Sequence, residues 1–534
     1  GGLLALTLTA VQLLPTLELS ALSVRQGGLP FNEVLSFSLH PLLLGRALLP
    51  AYGQSLFTEY VAFLPLTALL LAGLGAWRER GRPEARAALL LVIVGLLLAF
   101  GRFNPFYWLL ARLPGFDLFR VPARWLALYA LGMAFLAGWG WQVVSRDWQL
   151  GLSDWRKDRQ RPLRIGALLL LGLMGWSVLS VWLARFLPVG PEAPAEFPSL
   201  LTGLGWLLEL TLGYALLNTL ALLVSLTSPE SKPVFPVYLL LALFFASRSL
   251  PYNTPTTPEA YFDRRPAPAR LMAETQAQSP PGRFLSLSGI FFDPGDQAEI
   301  DTIYADQLPP AARYDYTIAI KQKEIIAPNL SMGYDLAAID GFDGGILPLA
   351  SYSELSRLLL PDGERTTDGR LRENLTAAPD DRWLDLFNAR YLITDKVGDV
   401  WHEGVFFDLQ LPVTLAAGQE AAVGYLPSYE ATELWLVAAG EPGTIVVGWG
   451  EEEEWLLPPE PLGDGLWSVN FPRPAAPTML TLTAASGEWR IEGLTLVDSR
   501  DGTFQSLVMG DYRLIHSGDV KIYENLDVRP RAFL

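Results

Sequence analysis

Apolar runs close to the roughly 20 residues that a helix needs to cross a bilayer recur through the first 250 residues of the chain. About seven segments qualify, at residues 1 to 19, 58 to 77, 86 to 103, 122 to 144, 163 to 186, 199 to 226 and 233 to 250. Two loops between them are basic: Arg78-Glu-Arg-Gly-Arg-Pro-Glu-Ala-Arg86, and residues 146 to 164 with Arg156, Lys157, Arg159 and Arg161. Lys- and Arg-rich loops stay on the cytoplasmic side, so alternation predicts residues 20 to 57, 104 to 121 and 187 to 198 outside, with everything beyond Pro251. Residues 29 to 57 are broken by Pro30, Pro41 and Pro50 and carry Glu33, His40 and Arg46, which reads as interfacial or re-entrant helix. Residues 104 to 121 mix aromatics with Arg112 and Arg120, as a helix at headgroup level does.

Beyond residue 250 the period changes. Residues 251 to 268 form a proline-rich linker, which the bias of pre-proline residues keeps extended. In residues 269 to 410 an α/β domain is expected: 283 to 290 alternate like a strand, 351 to 360 and 380 to 388 read as helices, and 389 to 394 as a buried strand. From 411 to 500, short β-rich runs at 434 to 438, 444 to 448, 466 to 471, 479 to 484 and 489 to 497 alternate with Gly, Pro and Asp turns. That texture predicts an inserted antiparallel β-sandwich, whose Trp435, Trp449, Trp455, Trp467 and Trp489 serve mainly as core. Residues 501 to 534 supply return strands for the α/β sheet. The expected fold class is thus a membrane α-helical bundle followed by an extracytoplasmic α/β domain with a sandwich insert.

Charge sharpens this division. Residues 251 to 534 hold 43 acidic and 21 basic residues, net −22, whereas the first 250 carry a net +6. A basic, Leu-rich half suits a bilayer and an acidic half suits export, so the cell membrane is the expected location and nucleic acid is not an expected partner. The absence of cysteine rules out disulfide staples and thiol chemistry. The chain opens at Gly1 inside an apolar run with no charged n-region, so it reads as a segment that begins within a longer protein.

Four stretches in order along the chain resemble the YfhO family of bacterial multi-pass membrane proteins, grouped with the GT-C glycosyltransferase superfamily. They are Glu59-Tyr-Val-Ala-Phe-Leu-Pro65; Gly101-Arg-Phe-Asn-Pro-Phe-Tyr107 with Pro114-Gly-Phe-Asp-Leu-Phe-Arg-Val-Pro-Ala-Arg-Trp125; Leu386-Phe-Asn-Ala-Arg-Tyr-Leu-Ile-Thr394; and Val520-Lys-Ile-Tyr-Glu-Asn525 with Pro530-Arg-Ala-Phe533. The resemblance implies transfer of a sugar from a polyprenyl-phosphate carrier, the donor substrate, to a cell-surface glycan or glycolipid. Such enzymes place a catalytic acid in the first external loop, and this chain is expected to start downstream of it, lacking the N-terminal spans. Glu18, at the end of the first span present, is the nearest substitute.

Arg102, Arg112, Arg120 and Arg124 are the most informative cluster. Guanidinium forks match phosphate oxygens, and Arg120 and Arg124, four apart, project from one helical face if the helix starts early. They are the candidate lipid-phosphate ligands; the plainer reading is that they snorkel to ordinary headgroups. Glu59 and His40 are candidate proton acceptors for an acceptor hydroxyl, although Glu59 equally suits a helix N-terminus.

Other patterns carry less. Asp340-Gly-Phe-Asp-Gly-Gly345 lacks the closing Glu of a calcium loop and reads as a turn, and no metal site is expected. Glu451 to Glu454 reads as a solvated edge, and Asn329-Leu-Ser331 and Asn374-Leu-Thr376 match a sequon frequent by chance. A non-catalytic membrane anchor that binds surface glycans or scaffolds partners is the rival from another class. A transporter is a third, weakened because Glu209 is the main charge inside the spans.

Overall fold

A computed structural model describes residues 2–52, 56–149, 155–186, 196–226, 234–248, 256–342, 348–363, 365–366, 368–375, 377–450, 453–463 and 465–533. The side chains of Arg156, Lys157, Arg159 and Arg161, most of the 187 to 198 loop, the start of the proline-rich linker, residues 343 to 345 of the expected turn, Glu451, Glu452 and Thr376 lie outside them. Contacts divide the chain into two compact units, residues 27 to 253, and residues 254 to 534 together with 1 to 26.

The N-terminal region is helical. α1 (Gly2–Leu22), α2 (Phe31–Val34), α3 (Leu44–Leu48), α4 (Leu66–Arg78), α5 (Pro83–Ala99), α6 (Pro105–Leu110), α7 (Leu126–Gln149), α8 (Trp155–Ala184), α9 (Leu200–Leu226) and α10 (Val234–Ser247) follow in order. Among the described residues, three stretches are long and apolar enough to cross a membrane: Gly2–Leu22, Pro122–Arg146 and Arg164–Ala184. α1 buries none of its residues, so its leucines face whatever surrounds it, as lipid-facing surface does. α4 starts only at Leu66, eight residues later than the apolar run suggests, because Pro65 and the short helical turn Thr58–Tyr60 precede it. Residues 29 to 57 do form short helices, with Leu39, Leu43 and Ala47 buried in the bundle core. The helix expected across 104 to 121 is limited to α6; turns replace the rest.

α7 is the central helix of this unit and packs on α4 and α5. Gly140 and Gly75 permit the α4 approach: a Cβ on Gly140 would stand 2.0 Å from the Leu71 carbonyl oxygen, and one on Gly75 2.0 Å from that of Leu136. Glycines at the crossing let the two helix backbones approach closely, as small residues do where helices pack.

The other unit adds α11 (Glu259–Phe262), α12 (Pro266–Thr275), α13 (Gln297–Tyr304), α14 (Pro310–Glu324), α15 (Ala350–Ser356) and α16 (Asp381–Leu386). Its strands are β1 (Arg283–Ser286), β2 (Ala389–Thr394), β3 (Asp399–His402), β4 (Val405–Asp408), β5 (Val413–Leu415), β6 (Glu420–Ala422), β7 (Ala431–Gly440), β8 (Thr444–Trp449), β9 (Glu453–Leu457), β10 (Glu460–Gly463), β11 (Leu466–Ala475), β12 (Met479–Thr483), β13 (Trp489–Asp498), β14 (Thr503–Leu507), β15 (Tyr512–Ser517) and β16 (Lys521–Asn525).

Four strands in the order β1-β2-β16-β15 form a mixed sheet, with β1 and β2 parallel and the rest antiparallel. Tyr391, Ile393 and Ile522 pack into a core with Leu271 and Ile325, while Leu285, Leu392 and Tyr523 pack into another with Leu384. Both faces are therefore buried, which is why β2 reads as an almost unbroken apolar run. The sequence between these strands builds two further antiparallel sheets, β10-β11-β7-β13-β14 with β5 on β13, and β6-β12-β8-β9. Leu434, Leu436, Leu494 and Leu496 of the first share one core with Ile445, Val447, Leu480 and Leu482 of the second. Trp489 and Trp449 are buried in that core, and Trp455 and Trp467 pack against it. Glu453 and Glu454 fall on β9, an edge strand, as the acidic run suggests. Lys521, 1% exposed, ties the β3–β4 hairpin to β16 by pairing with Asp399 and, at 3.0 Å, with Asp408.

Candidate functional site

Four loop segments of the helical unit converge at residues 37 to 40, 57 to 60, 101 to 103 and 120 to 124. Backbone bonds fix them: Leu39 N–H donates to the Ala99 carbonyl at 2.9 Å and Ala123 N–H to that of Phe37 at 3.4 Å. The Arg102 amide donates to Ser38 Oγ at 2.8 Å. Rings complete the cluster, Phe37 stacking on Phe57 at 5.3 Å and His40 meeting the Phe103 ring edgewise at 4.5 Å.

The backbone here is strained. Phe37 (φ 54°) and Val121 (φ 66°) adopt the left-handed region that side-chain-bearing residues avoid, and for a β-branched residue the conformation is an outlier. Gly101 (φ 42°) is required between them, because a Cβ there would meet Ser38 Oγ at 2.2 Å and Pro122 Cβ at 2.6 Å. Each non-glycine left-handed residue costs about 1–3 kcal/mol, and such strain persists where surrounding structure over-determines it, characteristically at functional sites.

The left-handed turn at Val121 leads into the helical turn Pro122–Trp125, which carries Arg124 to Glu59 on the turn Thr58–Tyr60. Arg124 Nε donates to Glu59 Oε2 at 3.0 Å and Nη2 to Oε1 at 2.7 Å. This bidentate bond engages both carboxylate oxygens of Glu59. With both oxygens taken by Arg124, Glu59 is suited to orienting that guanidinium rather than to accepting a proton. A guanidinium carries five N–H donors, so the edge of Arg124 turned away from Glu59 retains donors for a second anion. With Arg124 exposed over 64% of its side chain and Glu59 over 29%, the pair contributes no more than about 1 kcal/mol to stability.

The remaining candidates divide. His40 accepts the Leu42 amide on Nδ1 at 3.1 Å, capping the turn Pro41–Leu43, which is a structural task. Arg102 joins the cluster through its backbone and exposes its side chain. Arg112 stacks over the Phe31 ring at 4.8 Å. Glu18 lies exposed on α1, in the other compact unit. Sequence reasoning missed Phe37, Ser38 and Val121. Nothing in Arg120-Val-Pro122 signals a left-handed turn, since a residue before proline ordinarily extends. No family model, no characterised protein and no solved structure matches this chain.

Proposed function

We propose that the chain is a multi-pass, GT-C-like membrane protein that binds a polyprenyl-phosphate-linked sugar and transfers the sugar to a cell-surface glycan or glycolipid. In this reading all seven apolar segments span the membrane, and the acidic region faces outward. The two antiparallel sheets that share the Trp489 core are read as the β-sandwich insert, which positions the acceptor. The observation that carries the reading is the strained loop cluster, in which Glu59 orients Arg124 beside Arg120. Arg120 and Arg124 hold the phosphate of the carrier, Glu59 positions Arg124, Arg102 joins the same loop cluster through its backbone, and Arg112 lies outside that cluster on Phe31.

A second reading, a non-catalytic membrane anchor that binds surface glycans or partner proteins, gains support from the same pair, since Glu59 offsets the charge of Arg124. Equilibrium binding of radiolabelled polyprenyl phosphate to the purified protein, followed by sugar transfer to membrane glycans, separates the two. Saturable binding that Arg124→Ala abolishes supports the first reading. Absence of saturable binding by a folded protein supports the second.

A further inference from the structure

A cavity of about 1020 Å³ opens along α9 and α10, walled by Leu204, Leu208, Leu212, Leu241 and Phe245. Into this apolar wall the fold sets one carboxyl, Glu209, 5% exposed. Its position is built from both sides. Trp206 Nε1 donates to the Pro50 carbonyl at 2.7 Å and Thr202 Oγ1 to that of Tyr52 at 2.9 Å, pinning residues 50 to 52 on α9. Gly205 lets the Tyr52 ring lie flush there, since a Cβ would stand 2.2 Å from ring atom Cδ2. The Tyr52 hydroxyl then donates to Glu209 Oε2 at 3.2 Å, the Thr67 amide to Oε1 at 3.4 Å, and the Tyr238 hydroxyl to the Glu209 carbonyl at 2.7 Å.

Both carboxyl oxygens accept, yet no ion pair reaches Glu209 among the described residues. Among the described residues, the only basic one lining the cavity is Arg248, ten positions past Tyr238. Ten residues of helix separate them by about 15 Å along the axis. An ionised carboxyl in so apolar a place is costly unless a cation offsets it, and an intramembrane carboxyl facing a cavity marks a site. The walls supply the rest of a recognisable chemistry: Tyr52, Tyr238 and Phe245 offer aromatic faces, which attract cations whose charge is spread over an apolar body. The volume is that of a small-molecule pocket.

We propose that this cavity binds lipophilic organic cations, with Glu209 as the countercharge and Tyr52 as the residue that positions it. The site is distinct from the Arg120–Arg124 cluster and does not depend on the carrier reading.

The test is equilibrium binding of tritiated tetraphenylphosphonium to the full chain in detergent, with folding checked by gel filtration and circular dichroism. Saturable binding is expected, weakened at least tenfold in Glu209→Gln and unchanged in Arg248→Ala. Leu208→Trp fills the cavity without altering charge and is expected to weaken binding to a similar degree. Undiminished affinity in both Glu209→Gln and Leu208→Trp, or no saturable binding by the unaltered chain, overturns the proposal. So does loss in Arg248→Ala with retention in Glu209→Gln, which would remove Glu209 as the countercharge.

Discussion

Arg265 grips Asp296 with both terminal nitrogens, Nη1 to Oδ2 at 2.6 Å and Nη2 to Oδ1 at 3.0 Å. The same guanidinium reaches Glu324 Oε2 at 3.3 Å through Nε and Asp519 Oδ2 at 3.0 Å through Nη2. One side chain, 13% exposed, thereby joins the entry to α12, the end of α14 and the turn between β15 and β16. Arg265→Ala strands Glu324, itself 1% exposed, without its partner. Breaking a buried pair from one side costs about 3–5 kcal/mol, so a loss of this size is expected in denaturant unfolding followed by far-UV circular dichroism. Arg265→Lys keeps the charge but loses the fork, and should recover only part of it.

Burial raises the Glu324 carboxyl to about 7 from its ordinary 4.5, against the pull of Arg265. The native state then holds a proton that the unfolded chain releases near pH 4.5, so this group's contribution to stability falls as pH rises from about 4.5 to about 7. Asp296 opposes it: its bonds to Arg265 lower its carboxyl, giving stability that is present above the ordinary carboxylate range and lost as pH falls. Thermal unfolding between pH 4.5 and 8 should show Glu324→Gln flattening the decline toward neutral pH. An unchanged slope would remove Glu324 as its source.

Glu59→Gln separates orientation from proton transfer. An amide keeps one hydrogen bond to Arg124 and loses the ionic one, so carrier affinity should weaken about three- to tenfold, on the scale of one charge-assisted bond. The rate of sugar transfer at saturating carrier should not change. A loss of that rate with affinity intact would instead make Glu59 the base.

Trp489 is fully buried at the heart of the core that the two antiparallel sheets share. Trp489→Ala should cost about 3–5 kcal/mol in the same unfolding measurement. The indole nitrogen has no hydrogen-bond partner among the described residues, so Trp489→Phe leaves no polar group stranded and should cost well under half as much.

How much of this architecture the chain spells out depends on whether the signal is local. The alternation of β8 and β12 follows from burial on one face, and the near-unbroken apolar run of β2 from burial on two. The β3–β4 hairpin escaped notice because its turn uses Glu403 (φ 49°) before Gly404 (φ 85°), where Asn-Gly or Asp-Gly would have announced it. Among the site candidates, residue type picked out Arg124 and Glu59 separately. Their pairing spans 65 positions and depends on the left-handed turn at Val121, which no local pattern encodes.

Strand order also sets a timetable for synthesis. β1 and β2 are made early, but their sheet is completed only by β16 at Lys521–Asn525, after every strand of the two antiparallel sheets has been translated. Chains emerge from the ribosome at about 5–20 residues per second, and domains fold as units as they emerge. The inserted sheets can therefore close around Trp489 while the exposed edge of β2 still waits for its neighbour. A nascent chain halted before residue 521 would carry a finished insert on an unfinished host, with Tyr391 and Ile393 open to a chaperone.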